Sequence, residues 1–243
     1  MMPTHEDQWR QWFESVWKQR EEVVYPTLFG PFADTIHTLS ASWFQAMGFK
    51  EVDPRWLTHG VLVFPPHAHR DNWLYVTSGL SNPWGVDPAE IRQDQYSGLG
   101  FEFFMQTVKP APWAIEVLSS LMAMQILAAQ ELVDGGLLEP FDRVPLGRTI
   151  DGSAESLVRN VLILPPEHVP THARLHSGVF DLFLCVGITD AEMQFARAQD
   201  GPGLQKLLLH HGYLPVTDAA RRSSVESLFI GAEMAGIIPS TQH

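Results

Sequence analysis

The sequence predicts an α+β fold, a single domain in which a mostly antiparallel or mixed β-sheet is flanked by helices. Aromatic and β-branched runs at residues 57–64, 73–80 and 101–108 are separated by turns rich in Pro, Gly, Asn and Asp. Such runs are typical of neighbouring antiparallel strands. A long apolar segment at residues 113–133 follows Pro112, which predicts a helix laid across that sheet.

Helices are also predicted on both sides of these strands. Residues 1–24 are expected to contain an amphipathic helix, because Trp and Phe recur at helical spacing between residues 9 and 17. The main domain is then predicted to span residues 25–243, with a second helical face at residues 32–47 that ends at Gly48. The remaining predicted elements are strands at residues 143–148, 161–164 and 179–186, and helices at residues 190–199, 204–211 and 224–234.

Composition limits the classes of partner. The chain has 243 residues, 45% of them hydrophobic, so a sizeable core is expected. Its formal net charge of −12 opposes binding to nucleic acid or to an anionic membrane surface. The acidity favours a basic partner, although many acidic proteins use such charge only to stay dispersed.

The single cysteine and the N-terminus bear on the cellular compartment. Cys185 lies in an apolar run, where it is expected to be a small buried hydrophobe without an intrachain disulfide. The N-terminal residues have no basic start and no apolar signal core, and apolar runs stay shorter than the roughly 20 residues of a membrane span. These observations predict a cytoplasmic protein.

Common catalytic and nucleotide-binding motifs are absent from the sequence. The glycine pair Gly98 and Gly100 opens a strand rather than a helix, so it lacks the helix N-terminus that holds a pyrophosphate. No cofactor is therefore expected. The alternative is a metal-dependent or hydrolytic enzyme, which would use the loop containing His67 and His69, with Asp71 as a further ligand, or Glu102.

Two acidic residues lie inside predicted strands. Glu102 lies between two phenylalanines and Asp181 lies between Phe180 and Leu182. Burial of either carboxylate would require a partner or would raise its pKa, as in catalytic acids. An exposed strand face, or a structural hydrogen bond to backbone N–H groups or to an arginine, is the more common reason for a carboxylate at such a position.

Aromatic residues around two glycine-rich turns form a candidate protein-binding surface, because such rings supply large contact area at little entropic cost. The candidate residues are Trp73, Tyr75, Trp84, Tyr96 and Glu102. The same rings could instead belong to the core. Trp84 follows Asn-Pro in a loop, which favours partner contact more there than on the strand.

The pairing of W-x-Y-V-T-x-G-L-S at residues 73–81 with S-G-x-G-F-E at residues 97–102 resembles the suppressor of fused family. The resemblance implies the N-terminal-domain fold of that family and a non-enzymatic, protein-binding activity, with Glu102 as part of the motif. In animals the family is known for a regulator that sequesters Gli transcription factors. Stand-alone bacterial members imply a role as an immunity protein, whose partner would be a basic toxin or a regulatory protein.

Overall fold

The structure is a computed structural model that describes residues 4–33, 35–92 and 94–225. Within these residues the strands form a mixed nine-stranded sheet with flanking helices, so the predicted α+β class is confirmed. The chain divides into two compact units. Unit 1 comprises Met1–Leu138 and Pro165–Leu184, and unit 2 comprises Glu139–Leu164 and Cys185–His243.

The helices are α1 (His5–Lys18), α2 (Tyr25–Phe29), α3 (Ala41–Ala46), α4 (Pro112–Ala129), α5 (Asp190–Ala198) and α6 (Gly201–His210). The strands are β1 (Ile36–Thr38), β2 (Gly60–Phe64), β3 (Trp73–Ser78), β4 (Tyr96–Thr107), β5 (Arg143–Pro145), β6 (Val158–Leu164), β7 (His172–Leu175), β8 (Gly178–Thr189) and β9 (Val216–Thr217). Short 3-10 turns occupy Pro54–Thr58 and Pro88–Glu90. The helix predicted at residues 224–234 lies outside the described residues, except for its first two.

The N-terminal helical region of unit 1 begins where the sequence predicts. Thr4 and Asp7 form a capping box that satisfies free backbone N–H groups at the start of α1. The helix continues through a π-helical turn at Gln19–Val24 into α2, which ends at Gly30 with a positive φ of 82°. Arg20 lies in this π-helical turn and is buried.

The helix predicted at residues 32–47 is wrong over most of its length. Residues 36–38 form β1, which pairs antiparallel with β2 in the register Ile36 to Leu62. Only α3 is helical in this segment. Apolar side chains recur every three or four residues in this segment, which is the spacing of a helix. The edge of β2 nevertheless provides hydrogen-bond partners that favour a strand.

The sheet of unit 1 is antiparallel from β1 to β4 and parallel where β4 meets β8. The parallel register pairs Phe101 with Asp181 and Phe104 with Leu184. The antiparallel hairpin of β7 and β8 completes this part of the sheet. The predicted strands are therefore confirmed, and the parallel pair makes the sheet mixed.

Helix α4 packs across β2, β3 and β4, as the sequence predicts. It buries Leu118, Met122 and Leu127 among other apolar residues. Among the described helices, α4 alone is long and apolar enough to cross a membrane by length and composition. Its apolar surface is largely covered by the protein, which is the usual situation of a core helix.

Unit 2 contains β5 and β6, paired antiparallel, with α5 packed against β6 and α6 packed against α5. Cys185 on β8 is fully buried and free of any disulfide, so the expectation for this residue is confirmed. Burial raises the pKa of its thiol well above the ordinary value, which makes it an unreactive core group.

A buried ion pair fixes the start of α5 in unit 2. Glu192 accepts hydrogen bonds from Arg221 at 2.7 Å and from the backbone N–H groups of Thr189 and Ser224 at 2.8 Å. Burial raises the pKa of Glu192. The hydrogen bonds and positive charge of Arg221, together with the hydrogen bonds from these N–H groups, lower the pKa by more, so it lies below its ordinary value. The ion pair and its hydrogen bonds therefore compensate for the interactions with water that both charged groups lose on burial.

Replacing this carboxylate should destabilise the protein. We expect Glu192→Gln to lower the free energy of unfolding by roughly 3 to 5 kcal/mol, because Arg221 would keep a buried charge without its counter-ion. The pair's contribution is complete above the unfolded pKa of about 4.5 and is lost as the pH falls through the lower folded value. Urea denaturation from pH 3 to pH 7 measures both effects.

Arg197→Gln, a substitution at an exposed position of the same helix, is the control and should change the free energy of unfolding by less than about 0.5 kcal/mol. An equal loss of stability in both variants would contradict this account.

Candidate functional site

Polar groups at the first glycine-rich turn meet a buried carboxylate that follows the second turn in unit 1. Glu102 is fully buried. One carboxylate oxygen accepts hydrogen bonds from the N–H groups of Gly79 and Ser81, both at 2.9 Å, and from the Ser81 hydroxyl at 2.7 Å. The other accepts from the Thr77 hydroxyl at 2.6 Å. The two sequence motifs are therefore halves of one hydrogen-bonded cluster.

Arg20 completes this cluster from the N-terminal helical region. It is 1% exposed, and its Nη1 lies 3.8 Å from a carboxylate oxygen of Glu102. Its guanidinium donates to Ser78 Oγ at 3.1 Å, to Ser81 Oγ at 3.0 Å and to Asn82 Oδ1 at 2.8 Å. A buried cation thus offsets the charge of Glu102 and satisfies the polar groups of residues 78–82.

Glycine permits the close approach of the two turns, residues 78–82 and residues 97–100. The Leu99 N–H donates to the Leu80 carbonyl at 2.7 Å. Gly98 has a φ of 59°, and a Cβ atom there would lie 2.5 Å from the Leu80 carbonyl oxygen and 2.6 Å from that of Asn82. Both the backbone conformation and the contact distance require glycine at this position.

An open cleft of about 280 Å³ lies on the outer side of these turns. Its walls come from the turn Pro54–Thr58, from both glycine-rich turns, from the loop that joins them and from the end of α4. The lining residues are Arg55, Trp56, His59, Gly79, Leu80, Asn82, Trp84, Gly85, Val86, Tyr96, Gly98, Leu99, Ile126, Ala129 and Gln130. All of them belong to unit 1.

His59 is a polar residue in the cleft wall that is 4% exposed. Its Nδ1 lies 3.1 Å from the Trp56 carbonyl oxygen, and its ring packs directly on Gly79. Burial lowers the pKa of His59 to about 4; the charge of Glu102 opposes this shift and that of Arg20 adds to it. The ring is therefore neutral at physiological pH.

Two of the aromatic residues predicted to bind a partner line the cleft. The half-buried ring of Trp84 packs on Phe13 and Trp9 of α1, with ring centroids 4.3 Å and 5.8 Å apart. Tyr96 is 59% exposed and its hydroxyl donates to Asp181 at 3.5 Å. Partial burial raises the pKa of Asp181, an effect that the Tyr96 hydrogen bond opposes.

The other three predicted residues lie away from this surface. Tyr75 is buried and its hydroxyl accepts from the Ala111 N–H at 2.6 Å, while Glu102 is enclosed by its cluster. Trp73 is half-buried on β3, in register with Thr107. Direct contact with a partner stays a prediction for Trp73, Trp84 and Tyr96. Tyr75 and Glu102 are buried, so they have a structural role in the unbound protein.

The histidine loop does not assemble metal ligands in the described part of the chain. Nε2–H of His67 donates to the Phe29 carbonyl at 3.2 Å, which occupies this ring nitrogen. No group of three His, Cys, Asp or Glu side chains comes together among the described residues. The enzyme alternative that relied on His67 and His69 thus has no supporting geometry here.

Comparison with known proteins places these observations in a family. The model of the Suppressor of fused protein (SUFU) family matches residues 55–222, and the chain belongs to that family. The match includes both glycine-rich turns and Glu102, but it begins after α1 and Arg20. A search of curated protein sequences finds no match.

Three solved structures share the fold. Drosophila Suppressor of Fused is 22% identical with a TM-score of 0.55, and the match covers 73% of this chain and 44% of that one. The Sufu-Fu complex crystal structure contains a chain that is 20% identical with a TM-score of 0.62, and the match covers 95% of this chain and 98% of that one. A homologue from Neisseria gonorrhoeae FA 1090 is 17% identical with a TM-score of 0.59, covering 89% and 98% respectively. The chain thus spans less than half of the Drosophila protein that it matches.

Removal of the buried cation should destabilise unit 1. We expect Arg20→Met to lower the free energy of unfolding by roughly 3 to 5 kcal/mol, because Glu102 would remain charged and buried. The double variant with Glu102→Gln should recover part of this loss. Chemical denaturation measures both, and Arg10→Met on the exposed face of α1 is the matched control. A double variant that is destabilised by the full sum of the single effects would contradict the coupling of these charges.

The contact at Gly98 can be separated from its backbone conformation. Gly98→Ala and Gly85→Ala both place a Cβ at positive φ, but Gly85 has open space around it. We expect Gly85→Ala to cost about 1 kcal/mol and Gly98→Ala roughly 1 to 3 kcal/mol more, because of the steric overlap with the carbonyl oxygens. Equal losses in thermal or chemical denaturation would show that the turns are not in the close contact described.

Proposed function

We propose that this protein is a non-enzymatic protein-binding module and that the cleft of unit 1 receives a segment of its partner. The observation that carries the proposal is the position of the cleft. It lies on the turns that carry the resemblance to the family, with Trp84 and Tyr96 in its wall. Glu102, which belongs to the same motif, already accepts four hydrogen bonds inside the core.

The composition of the cleft wall supports the binding of a side chain rather than catalysis. Most lining residues are apolar, aromatic or glycine, as is usual for sites that take up an anchoring side chain. Tyr96 presents a large rigid ring at the cleft edge with more than half of its surface exposed. The buried imidazole of His59 is neutral and its Nδ1 is engaged with the backbone, so the cleft lacks an oriented acid–base pair.

A relative supports the same class of activity. One structure with this fold is that of a Sufu-Fu complex, in which the family member is bound to another protein. For the present chain we propose protein binding of this general kind. Because the sequences are only 20% identical, the partner itself does not transfer.

The finer form of the proposal is an immunity protein that neutralises a basic toxin in the cytoplasm. The loop between Trp84 and Tyr96 exposes three carboxylates and one guanidinium, those of Asp87, Glu90, Asp94 and Arg92. Together with the net charge of −12, these carboxylates would steer a basic partner toward the cleft edge and speed association. A basic regulatory protein would be attracted in the same way.

An affinity pull-down from the native cell lysate at several salt concentrations tests the proposal. We expect one enriched basic protein whose recovery falls as salt screens the attraction. Purified candidate toxin domains test the immunity role directly, and the absence of any complex at micromolar concentration would exclude it. Enrichment of no protein under any condition would contradict the binding function.

Variants of the cleft should weaken a complex without unfolding the protein. We expect Tyr96→Ala to weaken binding by roughly 2 kcal/mol, the usual scale for an aromatic anchor, and Ala129→Phe to weaken it by filling the cleft. Trp17→Ala removes an exposed aromatic residue outside the cleft and serves as the control. Calorimetric titration measures these changes, and equal affinity of all three variants would place the binding surface elsewhere.

A further inference from the structure

Tyr96 presents one side of its ring to solvent at the edge of the cleft. The residue is 59% exposed, and it lines the cleft together with the two glycine-rich turns. The other side of the ring rests against Gly100, where an added Cβ atom would lie 2.9 Å from Cδ1 of Tyr96 and 3.1 Å from its Cγ. The backbone at Gly100 therefore supports the ring and leaves its open side available to a partner group.

A carboxylate lies at the hydroxyl end of this ring. The Tyr96 hydroxyl oxygen is 3.5 Å from Oδ2 of Asp181, which is the long limit of a hydrogen bond. Asp181 is half-buried on β8, and both residues belong to unit 1. An ionised carboxylate can accept about four hydrogen bonds, so one long contact leaves most of the acceptor capacity of this carboxylate unused.

The charge of Asp181 lacks a strong counter-ion. Asp181 belongs to none of the ion pairs that the described residues form. The nearest positive influence is His172, which pairs with Asp181 in the register of β7 and β8. Partial burial raises the pKa of Asp181, and the Tyr96 hydrogen bond and the charge of His172 only partly oppose this rise. The carboxylate has therefore lost hydration without gaining a matching cation.

Unit 2 contains a complete example of an arginine held by a tyrosine and a carboxylate. The guanidinium carbon of Arg221 lies 4.6 Å from the centroid of the Tyr213 ring. Nη1 of Arg221 donates to Oε1 of Glu192 at 2.7 Å, and Nη2 donates to Oε2 of the same carboxylate. A planar guanidinium can thus stack on a tyrosine ring while it pairs with a carboxylate. In unit 1, Tyr96 and Asp181 supply the tyrosine and the carboxylate without the arginine.

We infer that Tyr96 and Asp181 form a subsite for an arginine of the partner protein. The guanidinium stacks on the open side of the Tyr96 ring and pairs with the Asp181 carboxylate. The inference rests on the proposed function and specifies which side chain of a basic partner is recognised at the cleft edge. An apolar side chain of the same partner is then free to occupy the cleft itself.

Arginine fits this subsite better than lysine does. A guanidinium is planar and weakly hydrated, so it can lie flat on an aromatic ring and still direct N–H groups to a carboxylate. The ammonium group of lysine is a compact, strongly hydrated charge that loses more hydration in the same contact. The acidic surface attracts both side chains at long range. A preference for arginine therefore distinguishes direct contact from electrostatic steering.

NMR titration of the whole protein with capped amino acids tests the inference without a partner. N-Acetyl-arginine methylamide should shift the ring signals of Tyr96 in a saturable manner. The capped lysine should bind at least about threefold more weakly, because it stacks less well on the ring. The capped citrulline has the shape of arginine but no charge, and it should bind about tenfold more weakly.

Substitutions at both residues provide matched comparisons. Asp181→Asn keeps the size of the side chain but removes its charge, so binding of the capped arginine should weaken at least about threefold. Asp134→Asn removes the same charge from an exposed position of unit 1 outside the cleft, and its effect should stay below about 1.5-fold. Tyr96→Leu removes the ring and should weaken binding about threefold or more, whereas Tyr96→Phe keeps the ring and should retain most of the affinity.

Several results would overturn the inference. These are the absence of binding by the capped arginine, equal binding of the capped lysine or citrulline, and equal effects of the two aspartate substitutions. If Asp181→Asn does not fold, the three capped amino acids on the unaltered protein still decide the question. The outcome is also separable from that of the partner experiments. If the capped arginine shows no preference while Tyr96→Ala still weakens a protein complex, the arginine subsite is excluded and the protein-binding function stands.

Discussion

The buried carboxylate of Glu102 is the constraint on which unit 1 depends. A charge removed from water must be compensated within the protein, and four hydrogen bonds from residues 77–81 together with Arg20 provide that compensation. The hydrogen-bond donors lie at the end of β3 and in the turn after it, and Arg20 lies in the π-helical turn at Gln19–Val24. The need to satisfy Glu102 therefore joins the end of β3, the middle of β4 and the N-terminal helical region.

This arrangement separates the structural and functional sides of the same turn. Residues 78–82 direct backbone and hydroxyl groups inward to Glu102, while Gly79 and Asn82 contribute to the cleft on the outside. The turn is thereby rigid before any partner binds, which lowers the entropic cost of association. A rigid turn beside an open cleft is well suited to the recognition proposed for it.

Much of the fold, but less of the site, could be predicted from the sequence. The patterns of β3, β4 and α4 are local and strong, and Trp84 and Tyr96, which flank the glycine-rich turns in the sequence, line the cleft. The role of Arg20 could not be predicted, because it lies 58 residues before Ser78 along the chain. The sequence of a helix does not show which buried carboxylate an arginine in it will pair with. The spacing of apolar residues predicts a helix over residues 36–38. These residues form a strand because they pair with the edge of β2, a segment that lies far from them in the sequence.

The central claim is that the cleft beside Tyr96 is the surface that contacts a partner protein. The most direct test places a photoreactive phenylalanine analogue at Tyr96 in one sample and at Trp17 in another, followed by irradiation with the partner at physiological salt. We expect a cross-link from position 96 and no cross-link from position 17. Cross-linking from position 17 alone would contradict it and would place the partner on the exposed face of α1.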